Sequence, residues 1–332
     1  MTAPKIPLNL FGIPFGLAGL GEAWAAMGRY GHAPDVVGEV VFLLATAAWL
    51  LVVGAYVRHL VTDRGVVLRD LLDPIAAPFA SLALITPMLL AAQGLHPHAE
   101  TAGTVLTDVF LTLTVVLGGW ITGQWIYGSL DLDAFHPGYF LPTVAGGLIA
   151  AAAAASVGQL RLAVVMLGLG GVCWIVLGSV IIGRLLFRPM LPPPLRPTLA
   201  IEVAPAAVAS LAWFECNGGR IDTVAAFLAG YGLLMVIAQL RLLPMYLRLP
   251  FMPSTWAFTF SWAAVATVAL VWPEDGQVAG YRVYEYVVLA AVTLLVGGIA
   301  VRTLLAIARR RFLPRPVATP AVAAESPAPT SA

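Results

Sequence analysis

The amino-acid sequence predicts an all-α integral membrane protein of ten transmembrane helices, paired as five helical hairpins. Three observations carry that prediction. Of the 332 residues, 60% are hydrophobic, and the mean hydropathy is +0.90. Only 11% are charged, against about 25% in an ordinary soluble domain, so the chain cannot build a water-facing surface. The apolar residues also fall into ten long runs, each near the roughly 20 residues that cross a hydrocarbon core as a helix. A transmembrane barrel would need short alternating strands instead. Together these exclude a soluble enzyme, a nucleic-acid-binding module and a disordered scaffold. The net charge of +1 gives no reason to expect a polyanionic partner.

The first segment, 9–29, follows Lys5 and contains Pro14 and Glu22. The proline in its middle and the interrupting acid favour a spanning helix over a cleaved leader. The remaining segments are 36–61, 75–94, 101–128, 137–157, 160–187, 198–216, 221–245, 254–272 and 281–308. Turn residues separate them: Gly31 to Pro34, Gly94 to Pro97, Asp131 to Pro137, Pro192 to Pro194, Asn217 to Gly219, and Pro273 to Gly276. Residues 1–311 read as one transmembrane domain. Residues 312–332, rich in Pro, Ala, Ser and Thr after the Arg309–Arg311 run, read as a disordered cytoplasmic tail.

With ten spans, both termini lie on one side. That side collects fourteen of the eighteen Lys and Arg residues, and the other side four. The positive-inside rule therefore places both termini in the cytoplasm.

The segments also alternate in character. Odd ones carry a proline or small polar residue near the middle, namely Pro14, Pro87, Pro142, Pro205 and Ser261. Even ones read as free of internal proline. Proline inside a span frees a carbonyl that neighbouring helices or trapped water can satisfy and lipid cannot. The odd helices are thus expected as a kinked inner ring around a pore, with the even helices as an outer ring.

Isolated polar groups are few. Glu22, Asp108 and Glu202 fall within spans, where an ionisable side chain is costly and is by default a functional candidate. They serve either in proton coupling or as neutral or paired acids tying helices together. His32, His59 and His136 read as solvated loop residues, and Glu285 as interfacial near Arg282. Cys173 and Cys216 read as packing residues. No metal site, cofactor motif or catalytic arrangement stands out.

Several stretches resemble a known family. The opening Asn9-Leu10-Phe11-Gly12-Ile13-Pro14-Phe15-Gly16-Leu17-Ala18-Gly19-Leu20 is similar to its first helix. His136-Pro137 with Pro142 is similar to its fifth, Pro197 with Ala204-Pro205 to its seventh, and Trp256-Ala257-Phe258-Thr259-Phe260 to its ninth. The family is the tellurite-resistance/C4-dicarboxylate transporter family, which includes bacterial TehA-type proteins and plant slow anion channels. The resemblance implies pseudo-fivefold symmetry, a trimer of separately conducting subunits, and a pore plugged by a phenylalanine of the ninth helix, here Phe260. Ser261 stands where many relatives have Pro or Gly. Trp256 shares the helix face of Phe260, and Phe258 points elsewhere. From its residue type alone, Phe260 reads equally as a packing or lipid-facing ring.

No Lys or Arg falls in the middle of an odd segment, so selectivity would rest on pore width, backbone dipoles and dehydration cost. The expected activity is that of an anion channel or passive anion transporter of a bacterial inner membrane, not an enzyme. It would carry small inorganic or organic anions and need no cofactor. The alternative is a proton-coupled carrier of C4-dicarboxylate, sulfite or tellurite-like anions.

Overall fold

A computed structural model describes residues 6–128, 130–276 and 280–313. Among them there are helices and turns but no strand. Ten stretches are long and apolar enough to cross a membrane: Leu8–Arg29, Asp35–Thr62, Ala77–Leu95, Glu100–Tyr127, Pro137–Ser156, Leu160–Phe187, Pro193–Asn217, Thr223–Tyr246, Pro253–Pro273 and Tyr281–Ala308. We call them the first to tenth spans. Of the expected tail, 312–332, only Phe312 and Leu313 are described, and Phe312 is buried beside Phe251; the rest, together with Lys5 and Arg315 of the charge count, lies outside the described residues.

The even spans are apolar on all faces, which leaves only packing to decide which side faces inward. In the sixth, the inward stripe is Ala163, Met166, Gly170, Gly178 and Ile181, and Val164, Val172, Ile175 and Val176 point out. The stripe follows helical spacing. Two apolar surfaces gain little from each other in lipid, so small residues that permit close approach set the contact. A Cβ on Gly147 of the fifth span would lie 2.6 Å from the backbone nitrogen of Gly170 in the sixth. One on Gly118 of the fourth would meet the Pro142 carbonyl at 2.8 Å.

The two classes of span differ sharply in burial. Between 61% and 89% of each odd span's apolar stretch is buried inside the protein, against 11% to 28% of each even one. Contacts close the odd spans into a ring in the order first, third, fifth, seventh, ninth and back to first. Each even span packs outside its hairpin partner. The expected inner and outer sets are therefore the observed ones.

The local origin of the irregularity differs from the simple mid-span kink. The first span begins as a tight 3-10 turn, Leu8–Phe11, and becomes α-helical at Gly12, so Pro14 sits in the first α turn. Pro205 likewise lies just inside the α-helix that starts at Ala204, after a 3-10 stretch Pro193–Val203. There its missing N–H costs nothing. Pro142 sits in a wide π turn, Leu141–Ala145, and Pro87 precedes another, Leu90–Leu95. The even spans are continuous α-helices, but the eighth does contain a proline, Pro244, two residues from its end. The sequence boundary at 245 hid it at the margin, where a proline disturbs only the last turn.

Loop chemistry fixes the ends. Gly218, at φ 73°, closes the seventh span in the left-handed conformation that glycine adopts without strain. The Asp222 carboxylate accepts from the N–H groups of Val224 and Ala225 and caps the eighth. His136 caps the fifth through Nδ1, which accepts from Gly138 N–H. It is fully buried and stacked on Phe79 at 5.8 Å, not solvated. His32 also leaves the solvent, with Nδ1 at 2.9 Å from the buried Glu285 of the tenth span. These two histidines lie in loops as expected but are not solvated, because the loops fold back onto helix ends; His59 lies instead in the last turn of the second span.

A candidate anion pathway

The inner ring encloses a cavity to which all five odd spans contribute. Asn9, Gly12 and Phe15 come from the first span, and Phe79 and Leu82 from the third. Leu141, Val144 and Leu148 come from the fifth, Ile201, Ala204, Pro205 and Val208 from the seventh, and Ser254, Trp256, Phe260 and Ser261 from the ninth. All these stretches belong to the N-terminal or middle part of their spans, so the cavity opens toward the side carrying the described ends of the chain.

The wall has no charged side chain. Its three polar side chains are Asn9, Ser254 and Ser261. Ser254 donates to the Pro194 carbonyl at 2.8 Å, and Ser261 to the Ala257 carbonyl at 3.1 Å. Both hydroxyl protons are therefore taken by backbone. Asn9 differs: its Oδ1, an acceptor, is buried without a partner.

The backbone supplies what the side chains lack. Within the inner spans α-helix resumes at Gly12, Leu82, Gly146, Ala204 and Ala257, in each case after a 3-10, π or short α turn. Four of these residues line the cavity, and the fifth directly follows the lining residue Ala145. An α-helix carries about half a positive elementary charge at its N-terminus. At these junctions the N–H groups of Gly12, Gly146, Ala204 and Ala257 are taken by carbonyls of the preceding turn, so the backbone contribution is the summed dipole of five inner spans that all start at this end, a weak pull on an anion compared with an arginine.

At the far limit of the cavity two rings meet. Phe15 and Phe260 stack with centroids 3.7 Å apart and planes 16° from parallel, each nearly inaccessible. That spacing is van der Waals contact and leaves no room for water between the faces. Glycines make the room for them: a Cβ on Gly19 would come within 2.9 Å of the Phe260 ring. Trp256 borders the cavity, but its indole N–H donates to Thr303 of the tenth span at 2.9 Å, pinning it to the ring's outer side. Phe258 packs edge-on against Tyr246 at 4.8 Å, away from the cavity.

The other singled-out residues lie behind the wall. Pro14, Pro87 and Pro142 are buried but are not among the lining residues, and Pro87 faces a separate groove between the second, third and fourth spans. Asp108 accepts from Gln159 Nε2 at 2.9 Å and ties the fourth span to the start of the sixth. Glu22 has Arg29 and Glu215 as its charged neighbours near the opposite end of the ring. Glu202 is buried with Oε1 unpartnered, beside Tyr231 and Tyr246 of the eighth span. Near it Gln239 donates to the Leu199 carbonyl at 2.8 Å and accepts from Tyr246 at 2.7 Å. Phe15 and Asn9 were not singled out by sequence reasoning. Asn9 is the one polar residue of the first span before Glu22, which could have flagged it; nothing in the sequence distinguishes Phe15 from a packing ring.

A family model described as a voltage-dependent anion channel, SLAC1, matches residues 5–304. The Haemophilus influenzae protein named tellurite resistance protein TehA homolog is 30% identical over 294 residues, covering 86% of this chain and 88% of that one. The Arabidopsis thaliana S-type anion channel SLAH2 is 23% identical over 336 residues, covering 97% of this chain and 63% of that one. With ten apolar spans around an uncharged axial cavity and a family match along nearly its whole length, the chain belongs to the SLAC1 family of voltage-dependent anion channels.

Proposed function

We propose that this protein is an anion channel or passive anion transporter in which the Phe260 ring, stacked on Phe15, is the closed gate. The observation that carries the reading is the combination in one cavity of a charge-free wall, to which all five inner spans contribute, and an aromatic contact across its end. The helix ends favour a negative ion, and the absent cations let it leave again. Because no fixed charge compensates for lost water, monovalent, easily dehydrated anions should pass better than multivalent ones. The arginine count supports an inner-membrane orientation with both termini cytoplasmic, and the family resemblance supports a homotrimer. Reconstitution with ion-substitution recordings tests the proposal: reversal potentials should follow the anion gradient, and cation-following potentials would overturn it.

One observation favours a second reading, a proton-coupled carrier of C4-dicarboxylate, sulfite or tellurite-like anions. Glu202 is buried, has a free carboxyl oxygen and directly follows the lining residue Ile201. In that reading a proton gradient changes anion flux at fixed voltage, and Glu202→Gln abolishes the effect.

A further inference from the structure

Outside the inner ring, an apolar groove runs between the second, third and fourth spans at the end of the bundle away from the described chain ends. Its upper rim holds two opposite groups, Glu39 at the start of the second span and His98 just before the fourth. Their Oε1 and Nε2 atoms lie 3.6 Å apart, and the side chains are 48% and 57% exposed. Below the rim the walls are Phe42, Leu43, Leu90, Leu95 and Leu106. The π turn over Leu90–Leu95 widens the third span here. The floor is a Trp49–Phe110 edge contact at 6.0 Å, with the Trp49 indole N–H fixed to the Ala83 carbonyl at 3.0 Å. From Glu39 to Trp49 the helix descends about 15 Å at 1.5 Å per residue, half of a hydrocarbon core about 30 Å thick. The groove thus begins at one interface, ends near the midplane, and is walled as an acyl chain requires.

We infer that this groove is a binding site for a single zwitterionic phospholipid with a primary ammonium headgroup, phosphatidylethanolamine in chemistry. One acyl chain lies over the Trp49–Phe110 floor. The headgroup ammonium sits on Glu39 and its phosphate on His98. The pattern of groups selects this occupant: a carboxylate beside an imidazole N–H donor on the protein matches an ammonium beside a phosphate on the lipid. An anionic phospholipid would set its uncompensated charge against Glu39. A quaternary choline headgroup has no N–H to donate to the carboxylate.

The test uses the full chain, delipidated in detergent and then mixed with phosphatidylethanolamine, phosphatidylglycerol or phosphatidylcholine, and read by native mass spectrometry. One phosphatidylethanolamine per chain should be retained, with a preference over the other two of about five- to tenfold, the scale of one or two half-exposed ion pairs. Thr46→Phe fills the groove and should abolish retention. The Thr46 hydroxyl only donates to Phe42 of its own helix, so its loss leaves the fold intact. Leu106→Trp, at a position already 40% exposed, is a second filling variant should the first fail to fold. Glu39→Gln should keep an acyl chain bound but bring the headgroup preference close to one. Equal retention of all three lipids by the unaltered chain, unchanged retention in both filling variants, or a change of oligomer size in them, which would mark a second copy as the occupant, overturns the assignment.

Discussion

If Phe15 is the surface against which the gate closes, then Phe15→Ala opens the pathway without touching the gate residue. The stack at 3.7 Å and 16° is nearly face to face, a less favoured arrangement than the offset or edge pairs that contribute about 0.5–1.5 kcal/mol beyond ordinary burial, so that range bounds it from above. For Phe260 to swing clear it must give up that contact. Removing the Phe15 ring deletes the term from the closed state alone, so the open-to-closed ratio should rise, by no more than about 13-fold. While the closed state dominates, anion current per molecule rises by the same factor. Phe260→Ala removes the plug itself and should give a larger current. The double variant should add little to it, because the two rings act as one unit. The assay is anion current at fixed voltage across a planar bilayer or an expressing cell, normalised to protein amount. A Phe15→Ala current at or below the unaltered level, with protein present in full amount, refutes the reasoning. So does a double variant whose increases simply multiply.

Phe258→Ala loses the edge contact to Tyr246, so it should lower the melting temperature in detergent while leaving the current unchanged. In Gly16→Ala the new Cβ would stand 2.6 Å from Thr259 Cβ. Such overpacking typically costs about 1–3 kcal/mol, and fluorescence-detected size exclusion after heating should show the loss. Glu202→Gln should leave anion flux insensitive to a proton gradient, as in the unaltered channel; a gradient-driven flux that this variant abolishes would instead favour the carrier. At the cap of the eighth span, the Ala225 N–H, followed by the Trp213, Asn217 and Val224 donors, holds the Asp222 carboxyl below the ordinary aspartate range. A lowered folded value means that its stabilisation is present above roughly pH 3.9 and is lost as pH falls through that lower value. The melting-temperature gap between Asp222→Ala and the unaltered chain should therefore be open at neutral pH and close in acid.

The spans and their inner or outer placement were legible because lipid permits few solutions. Length marks each crossing, and a proline deep inside a span frees a carbonyl that hydrocarbon cannot satisfy. Helix interiors were less legible. Pro14 and Pro205 look like mid-span kinks in sequence, yet they sit at 3-10-to-α junctions, because an α-helix can restart inside a continuous apolar run without any change of composition. Pro244 lay at a boundary and escaped notice. Of the pathway residues, Phe260 was legible only through family resemblance. Its partner Phe15 is one aromatic among many until the ring closes and brings the first span against the ninth. The burial of His136 and His32 depends on loop return paths that no periodicity encodes.

All five inner spans travel in the same direction, each returned by an outer one. Many carriers are instead built from halves of opposite topology, and the exchange of roles between those halves exposes the substrate site to each side in turn. A bundle of like-oriented hairpins has no such mirror state to rock into. Its two mouths are also electrically unequal, one facing helix N-termini and the other helix C-termini alongside Glu22 and Glu215. In the proposed channel a fully opened form should therefore rectify, passing anions more readily from the mouth where the inner spans begin.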